Sequence, residues 1–401
     1  MDVSLPYGTQ SKCGFVIQAA QSVNLPPQLT IKDTATAAPL VEVANNGLNN
    51  PTEFPALSDT IFPGDTLAIA VEPDLPKCGE LLHALLSYLR TNTVLSANDI
   101  TIVYGGNTNQ FKSLTLPKKL ADIFDTDLKF EVHLPEESEK QAFLATAENG
   151  EPIRFNKSLV DADIVIPLSV QLPNTLSDHI GFYHCLYPTF ADRAAQSQAS
   201  KDTTGNETQP SQDAITAAEM LGVQFIIKVT PGVGDEIANF AAGDIKTLAS
   251  QLDSGKQRYP EWDAAELTVG TISGHTSCNS WETIARALNT LADVTLESGT
   301  IVLCTEMAEQ MPSILNALRA PDALEDIEYH LEQQSSPHLQ IARALFQLRD
   351  LFHICLLSNH DPAEVESLGI APIEDVAQIQ KLVDASSSVN CVIDAHRITF
   401  R

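Results

Sequence analysis

The sequence predicts an α/β protein with two α/β domains and mainly parallel sheets. Three observations carry this. Short apolar runs rich in β-branched residues alternate with amphipathic helices, which is the order of βαβ units. A second such series begins near Ala265 after a polar interruption. The 401 residues are 43% hydrophobic, enough for two domains with cores of their own.

In chain order, Thr66–Val71 (TLAIAV) reads as a buried strand and Glu80–Arg90 (ELLHALLSYLR) has helical periodicity. Ile100–Tyr104 (ITIVY) is the next strand, completing a βαβ unit. Phe130–His133 and Ala162–Leu168 (ADIVIPL) are further strands. Phe225–Thr230 (FIIKVT) is followed by PGVGD and a second extended run, EIANF. Gly232 and Gly234 either cradle a phosphate or turn a hairpin; no long helix follows, which favours the hairpin. Residues 192–213 are polar and read as a mobile surface loop. In the second series Leu267–Ser273 (LTVGTIS) is a strand. Asn279, with Glu282 three residues on, caps a helix whose apolar face is Trp281, Ile284, Ala285 and Leu288. Thr300–Cys304 and His353–Leu357 continue that sheet. The expected domains are 1–265 and 266–401.

The formal net charge is −28, from 52 acidic and 24 basic residues, a field that repels nucleic acid and anionic membranes. The start, MDVSLPYGTQ, has neither the basic nor the apolar segment of a signal peptide. No apolar run approaches the roughly 18 residues of a membrane helix. The seven cysteines, Cys13, Cys78, Cys185, Cys278, Cys304, Cys355 and Cys391, contain no CxxC pair. They read as reduced thiols of a cytoplasmic protein and give no zinc site, so no metal is assigned.

In an open parallel sheet ligands bind beyond the carboxyl ends of the strands. The corresponding loops are 72–77 (EPDLPK), 105–110 (GGNTNQ), 169–188 (SVQLPNTLSDHIGFYHCLYP) and 274–279 (GHTSCN). His179 and His184 are either an acid/base pair or metal ligands, or else hydrogen-bonded groups beneath a loop packed by Phe182 and Tyr183. Their spacing of five is not that of one helical face. Glu72 and Asp74 either bind a cation or face water; in so acidic a chain, water is favoured. Arg286 either holds a carboxylate bidentately or makes a surface ion pair.

The order of these loops resembles the nickel-dependent lactate racemase family. NLPPQL, FPALSDTIFPGDTLAIAV, ITIVYGGNTNQ, ENGEPIRFNKSLVDADIVIPLSVQ, DHIGFYHCLYP, ANFAAGD, TVGTISGHTSCNSWETIARAL and TIVLCTEMAE are similar to successive segments of that family across residues 24–310. The resemblance implies two α/β domains and a site between them. It also implies a nickel pincer nucleotide tethered through a thioamide to a loop lysine. One histidine would ligate nickel, and two more would exchange a proton while the cofactor takes and returns a hydride.

Position by position, the functional groups are replaced. The tethering lysine falls on His184, and no lysine occurs between Lys157 and Lys201. The acid/base histidines fall on Thr108 and Asn174, and the arginine after the first falls on Asn109. The nickel-ligand position falls in QSQASKD, which has no histidine. The Asp-x-Thr-Arg-Pro motif reads Glu72-Pro73-Asp74-Leu75-Pro76, without its arginine. A Tyr-Gln-x-x-Lys region reads Glu282-Thr283-Ile284-Ala285-Arg286 and keeps only the cation. Threonine and asparagine are not general bases near pH 7, and losing one base typically costs ~10²–10⁴-fold in rate. The sequence therefore predicts a catalytically inactive racemase relative without the nickel cofactor. It would bind a small carboxylate or a partner in the cleft, with Arg286, Asn109, Glu72, Asp74 and His179 as binding candidates. The alternative is an active enzyme on small anions using His184, His179 and Arg286.

Overall fold

The computed structural model describes residues 1–26, 39–124, 126–172, 176, 182–201, 211–232, 234–250, 261–274, 280–319 and 324–400. The architecture is α/β, with two six-stranded, mainly parallel sheets and two small antiparallel hairpins among these residues.

The chain opens with a hairpin, β1 (Asp2–Tyr7) and β2 (Ser11–Val16), and a short strand β3 (Ser22–Asn24). The first large sheet contains β4 (Leu67–Val71), β5 (Ile100–Tyr104), β6 (Lys129–Val132), β9 (Ile164–Val170), β10 (Phe225–Pro231) and β11 (Ile237–Asp244). Its spatial order is β11-β10-β9-β4-β5-β6. A second hairpin, β7 (Gln141–Thr146) with β8 (Pro152–Asn156), lies between β6 and β9 in sequence. Every residue of β4 is buried, as expected of a central parallel strand covered on both faces. Helix α1 (Cys78–Asn92) covers one face with Leu81, Leu82, Leu85, Leu86 and Leu89. β10 and β11 are antiparallel, and the Gly232 N–H donates to the Glu236 carbonyl at 2.7 Å, so the glycine pair turns a hairpin.

The second sheet has the order β15-β14-β13-β12-β16-β3 and is parallel throughout. Its strands are β12 (Ala265–Thr271), β13 (Thr295–Cys304), β14 (His353–Leu357), β15 (Ala371–Ile373) and β16 (Ser388–Val392). Helix α4 (Trp281–Ala292) lies across β12 with Trp281, Ile284, Ala285 and Leu288 fully buried. It lies so close that a Cβ on Gly270 would overlap Leu291, which is why the strand carries glycine there.

Three expectations need correction. The segment 192–213 is not one loop, because Arg193–Ala199 forms a helix, α3. The Asp192 carboxylate caps it by accepting from the Ala195 N–H at 2.9 Å, and Ala195 and Ala199 bury the side they share. Composition alone hid this, since alanine and glutamine look polar or neutral yet are good helix formers. Residues 202–210 lie outside the described residues.

The α4 cap is Ser280, not Asn279, which also lies outside them. Ser280 and Thr283 form a reciprocal capping box. Ser280→Ala is expected to cost about 1 kcal/mol in a urea titration; no change would show that the cap is dispensable.

Finally, the first 24 residues do not join the first sheet. β3 pairs with β16, and Val3, Leu5, Cys13 and Phe15 pack against Leu267, Val269, Val302 and Cys391. The period-two alternation of β1 and β2 gives the hairpin one apolar face, and the second sheet is where that face is buried.

Candidate functional site

Glu72 and Asp74 follow the carboxyl end of β4. Glu72 accepts from the Val170 N–H at 2.8 Å and the Ser169 hydroxyl at 3.0 Å, both on the neighbouring strand β9. Asp74 adopts a left-handed backbone, φ 65°, which aspartate tolerates better than most side chains. Its carboxylate lies 2.7 Å from Arg286 Nη2, with only 13% and 2% of the two side chains exposed. Arg286 projects from α4 after β12, so this pair joins the carboxyl edges of the two sheets. Asp74 is therefore paired rather than free in water, and the ion pair of Arg286 is internal rather than on the surface. An alternating acidic run cannot reveal from sequence that a guanidinium 212 positions away approaches it.

These three residues and Glu282 line a cavity of about 360 Å³. Glu282 and Arg286 stand four residues apart on α4 and share one face. The rest of the wall includes Gln196 and Ser200 of the 193–200 segment and His338 and Gln340 at the start of helix α5 (Leu339–Leu351). Gln340 Nε2 donates to the Ser200 carbonyl at 2.7 Å and ties that wall together. Arg286 Nε and the Ser200 hydroxyl are buried with no hydrogen-bond partner among the described residues. Leaving such groups unmet costs on the order of 1–3 kcal/mol each.

Burial pushes the Glu72 carboxyl up to about 7; the two hydrogen bonds from β9 pull it partly back, Asp74 raises it and Arg286 lowers it. Glu282 is exposed at the edge of the cavity; desolvation by the surrounding protein raises its carboxyl, Arg286 opposes this and Asp74 adds to it. Burial holds the His338 imidazole below its usual value, with Arg193 adding to the effect, so it is neutral at pH 7.

Thr108 and Asn109 open helix α2 (Thr108–Leu114) after β5, capped by Asn107. They line a neighbouring opening of about 510 Å³ with Glu306 and Glu309, not the cavity of Arg286. Glu309 connects the two places, accepting from the Trp281 N–H at 3.0 Å and from Asn107 Nδ2 at 3.1 Å. Asn174 and His179 lie outside the described residues. So does the side chain of His184, whose backbone belongs to the turn Phe182–Cys185. Cys185 on that turn is buried and burial raises its thiol well above the usual range, which makes it an inert packing group.

Sequence reasoning missed the wall formed by Ser200 and His338, and it missed Glu309. A helix read at 193–199 would have offered Ser200; nothing local marks the other two. It also missed the edge of β16. There Asp394 accepts from the Ser273 N–H at 2.9 Å and, from the β10–β11 turn, the Gly234 N–H at 2.7 Å. Arg397 donates to the Gly234 carbonyl. His396 beside it is fully buried, with neither ring nitrogen partnered among the described residues, and burial followed by Arg397 and Arg286 keeps it neutral.

Among the described residues no group of three or more His, Cys, Asp or Glu side chains is placed to hold a metal, and no helix is long and apolar enough to cross a membrane.

The structure of the lactate racemase apoprotein from Thermoanaerobacterium thermosaccharolyticum superposes with a TM-score of 0.75 over 100% of both chains, at 16% identity. The chain has a lactate-racemase-like fold. A structural-genomics protein from Thermotoga maritima superposes with a TM-score of 0.67 at 14% identity over 89% of this chain and 97% of the other. No family model and no curated protein sequence matches the chain. At these identities the racemase likeness is a statement about fold.

Proposed function

We propose that this protein binds a small carboxylate-bearing ligand on a racemase-like fold and no longer performs the nickel chemistry that its sequence resemblance implies. The observation that carries this is the cavity itself: a space between the edges of two sheets, with a buried arginine in its wall and unmet donors at Arg286 Nε and Ser200. Its volume of about 360 Å³ suits a molecule of few heavy atoms.

The residues present do not fit a pincer nucleotide. No lysine lies between 157 and 201 to make the thioamide. An imidazole at 184 cannot make one. Thr108 and Asn109, at the turn where the resemblance expects His-Arg, supply neither base nor cation. The phosphate of a nucleotide would also meet Glu72, Asp74 and Glu282 with one arginine, itself already paired to Asp74. Losing every group of a catalytic unit leaves nothing for the remainder to assist.

The test is to express the protein beside the enzymes that make the cofactor, map peptide masses over 178–188, and follow lactate by a chiral assay. Unmodified peptide and no inversion above background are expected. A nucleotide mass on His184 or Cys185, or measurable inversion, would overturn the loss of chemistry.

A further inference from the structure

The cavity is unevenly charged. Among the described residues Asp74 and Glu282 face it against the single guanidinium of Arg286, Glu72 beside them keeps its proton up to about pH 7, and the histidine His338 is neutral. Asp74 already occupies Arg286 Nη2 at 2.7 Å, so Glu282 has no cation of its own there among the described residues. Yet two donors in the same wall lack acceptors. Arg286 is 1% and Ser200 8% exposed, and neither the guanidinium Nε–H nor the serine hydroxyl has a partner among the described residues. The wall thus asks for an acceptor near Arg286 and a positive charge near the carboxylates.

A 2-hydroxy acid answers half of this. Its carboxylate suits the Arg286 Nε–H, but it brings a further negative charge beside Glu282 and Asp74 and has no cation to offset it. An amino acid of the same shape answers both halves. We propose that the cavity selects small ligands that carry an ammonium together with a carboxylate, as α-amino acids do, over the matching 2-hydroxy acids. This deepens the ligand-binding reading above and rests on it. The ligand carboxylate meets the Arg286 Nε–H while Asp74 stays on Nη2. The ammonium meets Glu282, whose position one helical turn before Arg286 sets opposite charges side by side on one face of α4. Glu72, held at the cavity floor by Val170 and Ser169, adds a second acceptor for the ammonium.

Calorimetric titration with two matched pairs tests this: alanine against lactate, and leucine against 2-hydroxy-4-methylpentanoate. Within a pair the ligands differ only in ammonium versus hydroxyl. The amino acid of at least one pair is expected to bind about tenfold tighter or more. That preference should collapse in Glu282→Gln, a variant whose side chain faces open space and whose folding is checked by its thermal transition. Equal or tighter binding of the hydroxy acids overturns the inference and leaves the carboxylate-binding reading intact. A preference unchanged in Glu282→Gln overturns it too. If no member of either pair binds, both fall.

Discussion

Arg286→Met is expected to destabilise the protein by about 3 kcal/mol. The Asp74–Arg286 pair is almost dry, and breaking a buried pair by removing one partner typically costs about 3–5 kcal/mol because the other charge stays behind unpaired. The 13% of Asp74 still in contact with solvent places this pair at the low end. Methionine preserves most of the volume, so a cavity term adds little. The double variant Asp74→Asn/Arg286→Met removes both charges and should recover most of the loss. Urea titration of the two single variants, the double variant and wild type gives the coupling directly. A single-variant loss below about 1 kcal/mol would mean that the pair behaves as an exposed one.

Glu72→Gln is expected to be more stable than wild type at pH 8 and to flatten the dependence of stability on pH. The folded protein holds the Glu72 proton up to about pH 7, mainly because burial disfavours the carboxylate, whereas the unfolded chain releases it near its ordinary value, about 4.3. Between these values the folded state binds more protons. Stability from this group is therefore fully present below about pH 4.3 and is lost as pH rises through 7. The full difference corresponds to about 3–4 kcal/mol at 1.36 kcal/mol per pKa unit, and partial exposure to the cavity reduces the expected gain to about 1–2 kcal/mol. A glutamine oxygen still accepts from Val170 and Ser169 without becoming charged. Urea midpoints for both proteins from about pH 5 to 8 measure the difference, which cancels the titration of Glu282 and Glu309. Parallel profiles would show that Glu72 is not the group responsible.

The strands and the large helices of both sheets are legible from apolar periodicity because burial on two faces demands continuous apolar runs, as in Leu67–Val71, and burial on one stripe demands the spacing of Trp281, Ile284 and Leu288. The sides of the site are legible too, since loops after parallel strands share an edge: Glu72 and Arg286 do line one cavity. What sequence could not yield was partnership. Whether Asp74 meets water or a guanidinium depends on how two sheet edges approach, and no local pattern encodes that distance. Thr108 followed the correct strand, yet the path of α2 and the contact of Asn107 with Glu309 turn it toward a different opening. The 193–199 helix was concealed by reading polarity as disorder, although its capping aspartate and alanine content were in plain view.

The pairing of β3 with β16 has a consequence for how the molecule is made. Asn24 Nδ2 donates to Asn390 Oδ1 at 2.9 Å across 366 positions of chain. During synthesis the first sheet has all its strands once residue 244 has emerged, whereas the second lacks β16, the strand between β12 and β3, until residue 392 is available. The β1–β2 hairpin, made before every strand of the second sheet that buries it, must wait with Val3, Leu5 and Phe15 uncovered. Closing so long a loop is entropically expensive and slow, and it exposes an apolar strand pair throughout translation. The dense negative charge of the chain is well suited to that interval, because it keeps neighbouring nascent copies apart while β3 and β16 find each other.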